Sequence, residues 1–277
     1  MYCYFNGAII PVEQASVKIN DLGLLRGYSL FDYFRTYNGA PFQWDWHWAR
    51  FSRSAEVLQL HIPLTQAQTT HILAKLYNLT NEPDIAYRFV LTGGYSFDSV
   101  SIVEPNLLII VENLPKENSE RRVRGIKVLL FEFVRYLPEL KSTNYLHMIR
   151  LAAKIKSRDA ADLLYHKGGE VSELTCSNFF IFKGNTLITP YQNILHGITR
   201  RVVLELAERE FKVEVRPLLV EELAEADEAF TTSTTKWVMP IVQIGGQIIG
   251  DGKPGSRTLR LLEEFESLVR SYGRADK

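Results

Sequence analysis

Four short turn signals, three of two residues and one of three, each set between apolar runs, constrain this chain more than any other feature. Asn6-Gly7 separates residues 1–5 from 8–11, and Asn38-Gly39 follows the aromatic-rich run 30–37 and precedes a short return through Pro41 and Phe42. Lys167-Gly168-Gly169 lies between 162–166 and 170–175, and Gly184-Asn185 between 179–183 and 186–189. Such pairs reach the positive φ of a tight turn at little steric cost, so each pair of runs is predicted to be an antiparallel hairpin. Helical periodicity comes between them. Trp44, Trp48, Phe51, Ala55 and Leu58 recur at spacings of four and three, which predicts a helix with one apolar stripe. Thr65 reads as the N-cap of a helix reaching Tyr77. Further helices are expected over 144–157, 199–210 and 257–270. Strands are expected over 85–92, 106–112, 127–134, 212–216 and 228–232. Hairpins mixed with helices do not make a regular βαβ repeat, and they predict an α/β fold of the mixed α+β kind.

Residues 113–124 are polar, charged and carry Pro115. They read as a linker between two domains, 1–112 and 125–277. The basic cluster Arg121, Arg122 and Arg124 within it is expected to be solvated.

Composition serves mainly to exclude. The 277 residues carry 32 Lys+Arg against 32 Asp+Glu, so there is no basic excess of the kind that nucleic-acid affinity draws on. Two cysteines, Cys3 and Cys176, allow neither a disulfide scaffold nor a four-cysteine zinc site. The six histidines show no metal-ligand spacing, and no metal is expected. The longest apolar runs, such as Leu107-Leu108-Ile109-Ile110, are too short to span a bilayer, and the first residues lack a basic n-region. A cytoplasmic protein without membrane or nucleic-acid partners is the expectation.

Four separated segments carry groups that can hold an anion and a carbonyl compound. Lys141 follows a Pro-containing loop and precedes a helix. A lysine there is either solvated or, when desolvation or cationic neighbours lower its pKa, a nucleophile toward an aldehyde. Glu173 shares a strand face with Val171 and Thr175 and is either exposed or turned inward. Gly197-Ile198-Thr199 opens a helix, whose free N–H groups favour anions. Residues 231–235 (Thr-Thr-Ser-Thr-Thr) end a strand and supply hydroxyl donors. Arg50, at i+3 from His47, either faces solvent or supplies a full positive charge.

The order and spacing of these segments resemble the class IV, fold-type IV family of pyridoxal-phosphate enzymes. The similarity is carried by FNGAIIP, NDLGLLRGYSLFDYFRTYNG, HWARFSRSAE, LKSTNYL, GEVSELTCSNFFIFKGNTLITP, ILHGITRRVVLELA, ADEAFTTSTTKWVMPI and DGKPG, in order along nearly the whole chain. The family comprises branched-chain aminotransferases, D-amino acid aminotransferases and aminodeoxychorismate lyases. The resemblance implies two α/β domains, the second of which binds pyridoxal 5'-phosphate. It implies that Lys141 holds the cofactor as a Schiff base and shuttles a proton between substrate Cα and cofactor C4′. Glu173 would pair with the pyridinium nitrogen. Arg50, Ile198, Thr199, Ser233 and Thr234 would hold the phosphate, and Tyr145 would reach the phenolate oxygen. The implied partners are an amino acid, a 2-oxo acid and a second copy of the chain, with N-terminal loops completing the partner's site.

Departures from the family pattern bear on substrate choice. Where D-amino acid members carry a tyrosine, this chain has Phe31. Where they carry an arginine and a histidine after a strand end, it runs Thr92-Gly93-Gly94-Tyr95-Ser96-Phe97-Asp98. Arg88 on its strand and Arg26 from the partner subunit are the expected replacements, because a guanidinium fork suits a bidentate carboxylate. The alternative for each is an ion pair with a structural acid such as Asp21 or Asp32. The turn at Ser233-Thr234-Thr235 resembles the D-specific branch, so a D-amino acid transaminase is favoured, with Arg26, Arg88, Phe31 and Thr235 contacting substrate. A branched-chain L-aminotransferase and an aminodeoxychorismate lyase are the alternatives.

Overall fold

The computed structural model describes residues 1–115 and 119–274. The chain forms two compact units. One comprises Met1–Pro115, Leu140–Tyr145 and Ser271–Lys277, and the other Lys116–Glu139 and Leu146–Arg270.

The first unit is built on a six-stranded antiparallel sheet. β1 (Tyr2–Phe5) and β2 (Ala8–Pro11) form the Asn6-Gly7 hairpin. After the short helix α1 (Leu22–Arg26) come β3 (Ser29–Tyr37), β4 (Ala40–Pro41), helices α2 (Trp44–Val57) and α3 (Gln66–Asn78), β5 (Ala86–Thr92) and β6 (Asn106–Glu112). The strand order is β2-β1-β6-β5-β3-β4. Both asparagines of the turns adopt positive φ, as the hairpin signal requires. Thr65 caps α3 in a capping box with Gln68, so two orphan N-terminal N–H groups are satisfied reciprocally. Trp44, Trp48, Phe51 and Ala55 of α2 pack with Phe34, Tyr87, Phe89 and Leu91 of the sheet to form the core.

The division into units is not the linear one expected from the sequence. Residues 140–145 join the first unit because they hydrogen-bond along β3: the Phe31 N–H donates to the Lys141 carbonyl at 2.8 Å, and the Thr143 N–H to the Ser29 carbonyl at 3.2 Å. Tyr272 joins it by donating to the Pro41 carbonyl and accepting from the Gln43 N–H. The expected linker is also corrected in part. Ser119–Arg124 is a helix, α4, with Arg122 buried and its guanidinium 4.2 Å from the Trp237 ring centre. Its basic residues therefore stabilise a helix C-terminus, where the dipole favours cations. Residues 116–118 of the linker lie outside the described residues.

The second unit holds β7 (Ile126–Glu132), α5 (Leu146–Ser157), β8 (Asp162–Lys167), β9 (Glu170–Leu174), β10 (Asn178–Lys183), β11 (Thr186–Thr189), α6 (Ile198–Ala207), β12 (Lys212–Val215), β13 (Leu218–Leu219), β14 (Glu228–Ser233), β15 (Trp237–Ile244), β16 (Gln247–Ile248) and α7 (Ser256–Ser271). Its sheet runs β12-β11-β10-β14-β15-β7-β8-β9-β13, and a further pairing of β9 with β10 closes six of these strands into a ring. β15 is absent from the sequence expectation. It is apolar and almost wholly buried, so it lacks the alternation that marks a half-buried strand. Gly255 is required before α7, since a Cβ there would lie 1.9 Å from the Glu228 side chain. The Glu228 carboxylate accepts from the N–H groups of Arg257 and Thr258 and caps that helix.

Candidate active site

In the first unit, the Lys141 ammonium lies over the Phe31 ring, 4.4 Å from its centre. The same ring meets Tyr145 edge-on at 5.7 Å and the Arg88 guanidinium at 5.7 Å. The backbone explains this grouping. Leu30 bridges Ser142, so the lysine segment runs as an added strand beside β3 and its side chains meet those of that strand. Three of the residues singled out for substrate or cofactor therefore share one aromatic neighbour.

Arg88 has an acid partner. Its Nε and Nη2 donate to the two oxygens of Glu112, at 2.5 and 3.0 Å, and its guanidinium also stacks on Tyr33. The partner is neither Asp21 nor Asp32. Nη1 makes no hydrogen bond among the described residues. Arg26 is exposed at the end of α1, where it donates to the carbonyls of Ser99 and Leu25.

Arg50 is not a surface arginine. Its Nε and Nη2 donate to Asp32 at 2.9 and 2.7 Å, and His47 Nδ1 shares the same carboxylate at 2.8 Å. Asp32 is 1% exposed. Burial alone would raise its pKa, but Arg50 and His47 beside it hold the carboxyl well below the usual range. Burial lowers the pKa of His47, and the charges of Arg50 and Lys141 add to that against the pull of Asp32. The imidazole is thus neutral near pH 7 and donates through Nδ1–H. Sequence reasoning noted the His47/Arg50 spacing but missed the triad, because the pairing of α2 with β3 is not visible in either segment alone.

In the second unit, Glu173 is turned inward, 3% exposed. Arg135 donates to Oε1 through Nε at 2.7 Å, and the Leu195 N–H donates to Oε2 at 2.9 Å. The Leu195 carbonyl accepts from Asn178 Nδ2 at 2.7 Å. Two residues on, Gly197 is the N-cap of α6, with no side-chain cap on that helix end. The peptide of Leu195 thus ties the buried carboxylate to the loop that opens the helix N-terminus, where Ile198 and Thr199 lie buried. Arg135 lies in none of the motif segments, and Asn178 and Leu195 lie within two of them with nothing to mark this role. Arg135 and Leu195 lie in loops 38 and 22 residues from Glu173, and Asn178 starts β10 just beyond the loop that follows it.

These residues fit a phosphate-bearing pyridine. Glu173 and Thr232 each stand opposite Asn178 in antiparallel ladders, so the three side chains share a face. The Thr232 hydroxyl is buried and has no hydrogen-bond partner among the described residues, a donor that a phosphate oxygen would satisfy. At position 197 a Cβ would come within 2.2 Å of Asn178 Oδ1, so only glycine lets the helix start approach this closely. Ser233 ends β14 opposite Trp237, and Thr234, Thr235 and Lys236 form the tip of that hairpin. Thr232, next to the expected Ser233, was missed for want of any pattern separating it from its neighbours.

The model of the class IV aminotransferase family matches residues 29–244. The chain is 34% identical to a putative branched-chain-amino-acid aminotransferase of Methanocaldococcus jannaschii, over 99% of this chain and 98% of that protein. It is 31% identical to the D-alanine aminotransferase of Staphylococcus epidermidis, over 97% of this chain and 98% of that protein. The solved branched-chain amino acid aminotransferase of Escherichia coli superimposes with a TM-score of 0.90 at 24% identity, covering 97% of this chain and 94% of that one, which shows the shared fold.

Proposed function

Because the chain belongs to the class IV aminotransferases, a pyridoxal-phosphate family, we propose that it moves an amino group between a D-amino acid and a 2-oxo acid through Lys141. When bound, the cofactor supplies the aldehyde and the electron sink that stabilises charge at Cα. With the cofactor in place, Lys141 Nζ would be the base that accepts and gives back the proton of substrate Cα. Glu173, held by Arg135 and the Leu195 amide, keeps a proton on the ring nitrogen. Ile198, Thr199, Thr232, Ser233 and Thr234 donate to the phosphate, and Arg50, fixed by Asp32, adds positive charge. Tyr145 donates to the cofactor's phenolate oxygen.

The observation that carries this reading is the Phe31 ring, shared by the Lys141 ammonium and the Arg88 guanidinium. A nucleophilic amine and a cation beside one ring suit an α-amino acid. Glu112 takes one edge of Arg88, and Nη1 is left for the substrate carboxylate. Thr235 at the hairpin tip contacts the same carboxylate, and Arg26 serves the partner subunit's site. The D-alanine aminotransferase relatives and the Ser233-Thr234-Thr235 turn support the D stereochemistry.

A second reading, a branched-chain L-amino acid donor, draws support from the loop after β5. It exposes Phe97 and Val100 where a carboxylate clamp would need cations, and the 34% identical relative is a putative branched-chain enzyme. Mixing the yellow holoenzyme with single D- and L-amino acids and following bleaching separates the two. Faster bleaching by D-alanine than by L-leucine is expected, and the reverse order overturns the D assignment. The Arg88 role fails if Arg88→Ala leaves KM for the amino donor unchanged.

We also propose a homodimer with shared sites. The first unit exposes Ile19, Leu24, Phe97 and Val100 on segments joined by the Asn20–Ser96 and Arg26–Ser99 hydrogen bonds, an apolar surface of the kind that a second copy covers. Light scattering at twice the chain mass is the expected result. The exposed Cys176, a thiol rather than half of a disulfide, supports a reducing, cytoplasmic setting. Among the described residues no helix is long and apolar enough to cross a membrane.

A further inference from the structure

The hairpin tip at Thr234, Thr235 and Lys236 carries one charge, and that charge is tied down. Lys236 Nζ donates to Asp162 Oδ2 at 2.7 Å and to Ser177 Oγ at 3.3 Å. Asp162 is buried at the start of β8. Its other oxygen accepts from the Leu163 N–H at 2.9 Å and from Thr175 Oγ1 at 2.5 Å. Thr175 and Ser177 flank Cys176 in the loop leading from Glu173 to Asn178. The pair therefore braces the tip against the loop that follows the ring-nitrogen carboxylate.

Backbone alone does not hold this tip. The Trp237 that closes it has φ of +58°, a left-handed conformation that costs a bulky residue about 1–3 kcal/mol and persists only where the surroundings enforce it. Within the tip, the Lys236 N–H donates to Ser233 Oγ at a long 3.2 Å. Further restraint comes from side chains. Lys236 is pinned through Asp162 on one side, and the Trp237 indole lies under the Arg122 guanidinium on the other.

We propose that Lys236 and Asp162 are positioning residues that fix the Thr234-Thr235 tip for the α-carboxylate shared by amino donor and 2-oxo acceptor. The proposal rests on the carboxylate-binding reading of that tip given above. Neither residue touches substrate. The charge-assisted pair sets the tip's geometry, and a binding site displaced by about 1 Å loses much of its advantage. Because one tip serves both substrates, loosening it weakens both together. Of the phosphate donors named above only Thr234 lies on the tip; Thr232 and Ser233 stay in the β14–β15 ladder and Ile198 and Thr199 open α6, so phosphate binding is largely kept.

The test uses the holoenzyme. Lys236→Met is expected to raise KM for donor and acceptor in parallel, by about tenfold, with kcat within about threefold of wild type. The cofactor dissociation constant, from titrating the apoprotein with pyridoxal phosphate, should stay within about threefold. Lys236→Arg keeps a cation within reach of Asp162 and Ser177 and should restore both KM values. Asp162→Asn should reproduce the parallel KM rise. Unchanged KM values in Lys236→Met overturn the proposal. So does a variant whose melting temperature, cofactor affinity and substrate affinity all fall away together without rescue by arginine, since that is a purely structural role. Failure of the wild type to transaminate any amino acid would instead sink the reading of the site itself.

Discussion

Two buried carboxylates, Asp32 and Glu173, are each held by an arginine and by further donors, yet they are built differently. Asp32 is gripped by regular structure: it lies on β3, and Arg50 and His47 are one turn apart on α2. Glu173 lies on β9, but its partners Arg135 and Leu195 are loop residues. A carboxylate locked between helix and sheet stabilises the docking of those elements. One held by loops sits where local adjustment is least costly and where ligand sites are commonly found. The difference fits Asp32 to architecture and to orienting Arg50, and supports the chemical role proposed for Glu173.

The largest expected effect follows from Asp32. Asp32→Asn leaves the Arg50 charge buried without its counter-ion and should cost about 3–5 kcal/mol of stability, read from denaturant midpoints. If Glu173→Gln costs as much, the contrast between the two carboxylates collapses. Glu173→Gln is expected instead to slow Cα proton removal about a hundredfold, near 2.7 kcal/mol of barrier, in stopped-flow half-reactions at saturating cofactor. Its stability loss should be nearer 1–2 kcal/mol, because a hydrogen-bonded neutral amide replaces the carboxylate and loops relax around the change.

Acidification sharpens the same contrast. His47 has a folded pKa below its unfolded value, so the unfolded chain takes up the proton first, and stability should begin to fall below about pH 6.5. Asp32 is depressed too, so its contribution is complete above about pH 4 and is lost as the pH falls further. Wild type should lose stability in these two stages. His47→Gln should cost about 1.5 kcal/mol at pH 7 and lack the upper stage. An unaltered upper stage in that variant would show that another group titrates. The smallest effect belongs to Thr232→Val, which removes an unsatisfied hydroxyl. It should leave the apoprotein's melting temperature unchanged or slightly raised while weakening cofactor binding several-fold, and equal affinity would remove Thr232 from the phosphate cup.

Much of the fold was legible because hairpin turns and amphipathic helices write themselves locally. Asn6-Gly7 and the Trp44–Phe51 stripe each needed only a few residues to be read. β15 was not legible, because a strand buried on both faces carries no alternation. Lys141, Glu173 and the opening of α6 stood out through their ordered spacing along the chain. Their supports did not: Arg135 and Asn178 become partners of the cradle only through long-range pairing, and the Arg88–Glu112 pair joins two strands whose register neither reveals alone. The whole-chain charge balance likewise concealed buried ion pairs at Asp32, Glu173 and Asp162.

The central claim is that Lys141 is the lysine joined to the cofactor. Borohydride reduction of the holoenzyme, followed by peptide mapping, tests it directly. The account predicts one pyridoxyl group per chain, on the peptide containing Lys141, and no label in Lys141→Ala. Stoichiometric label on any other lysine, with Lys141 unmodified, would contradict it.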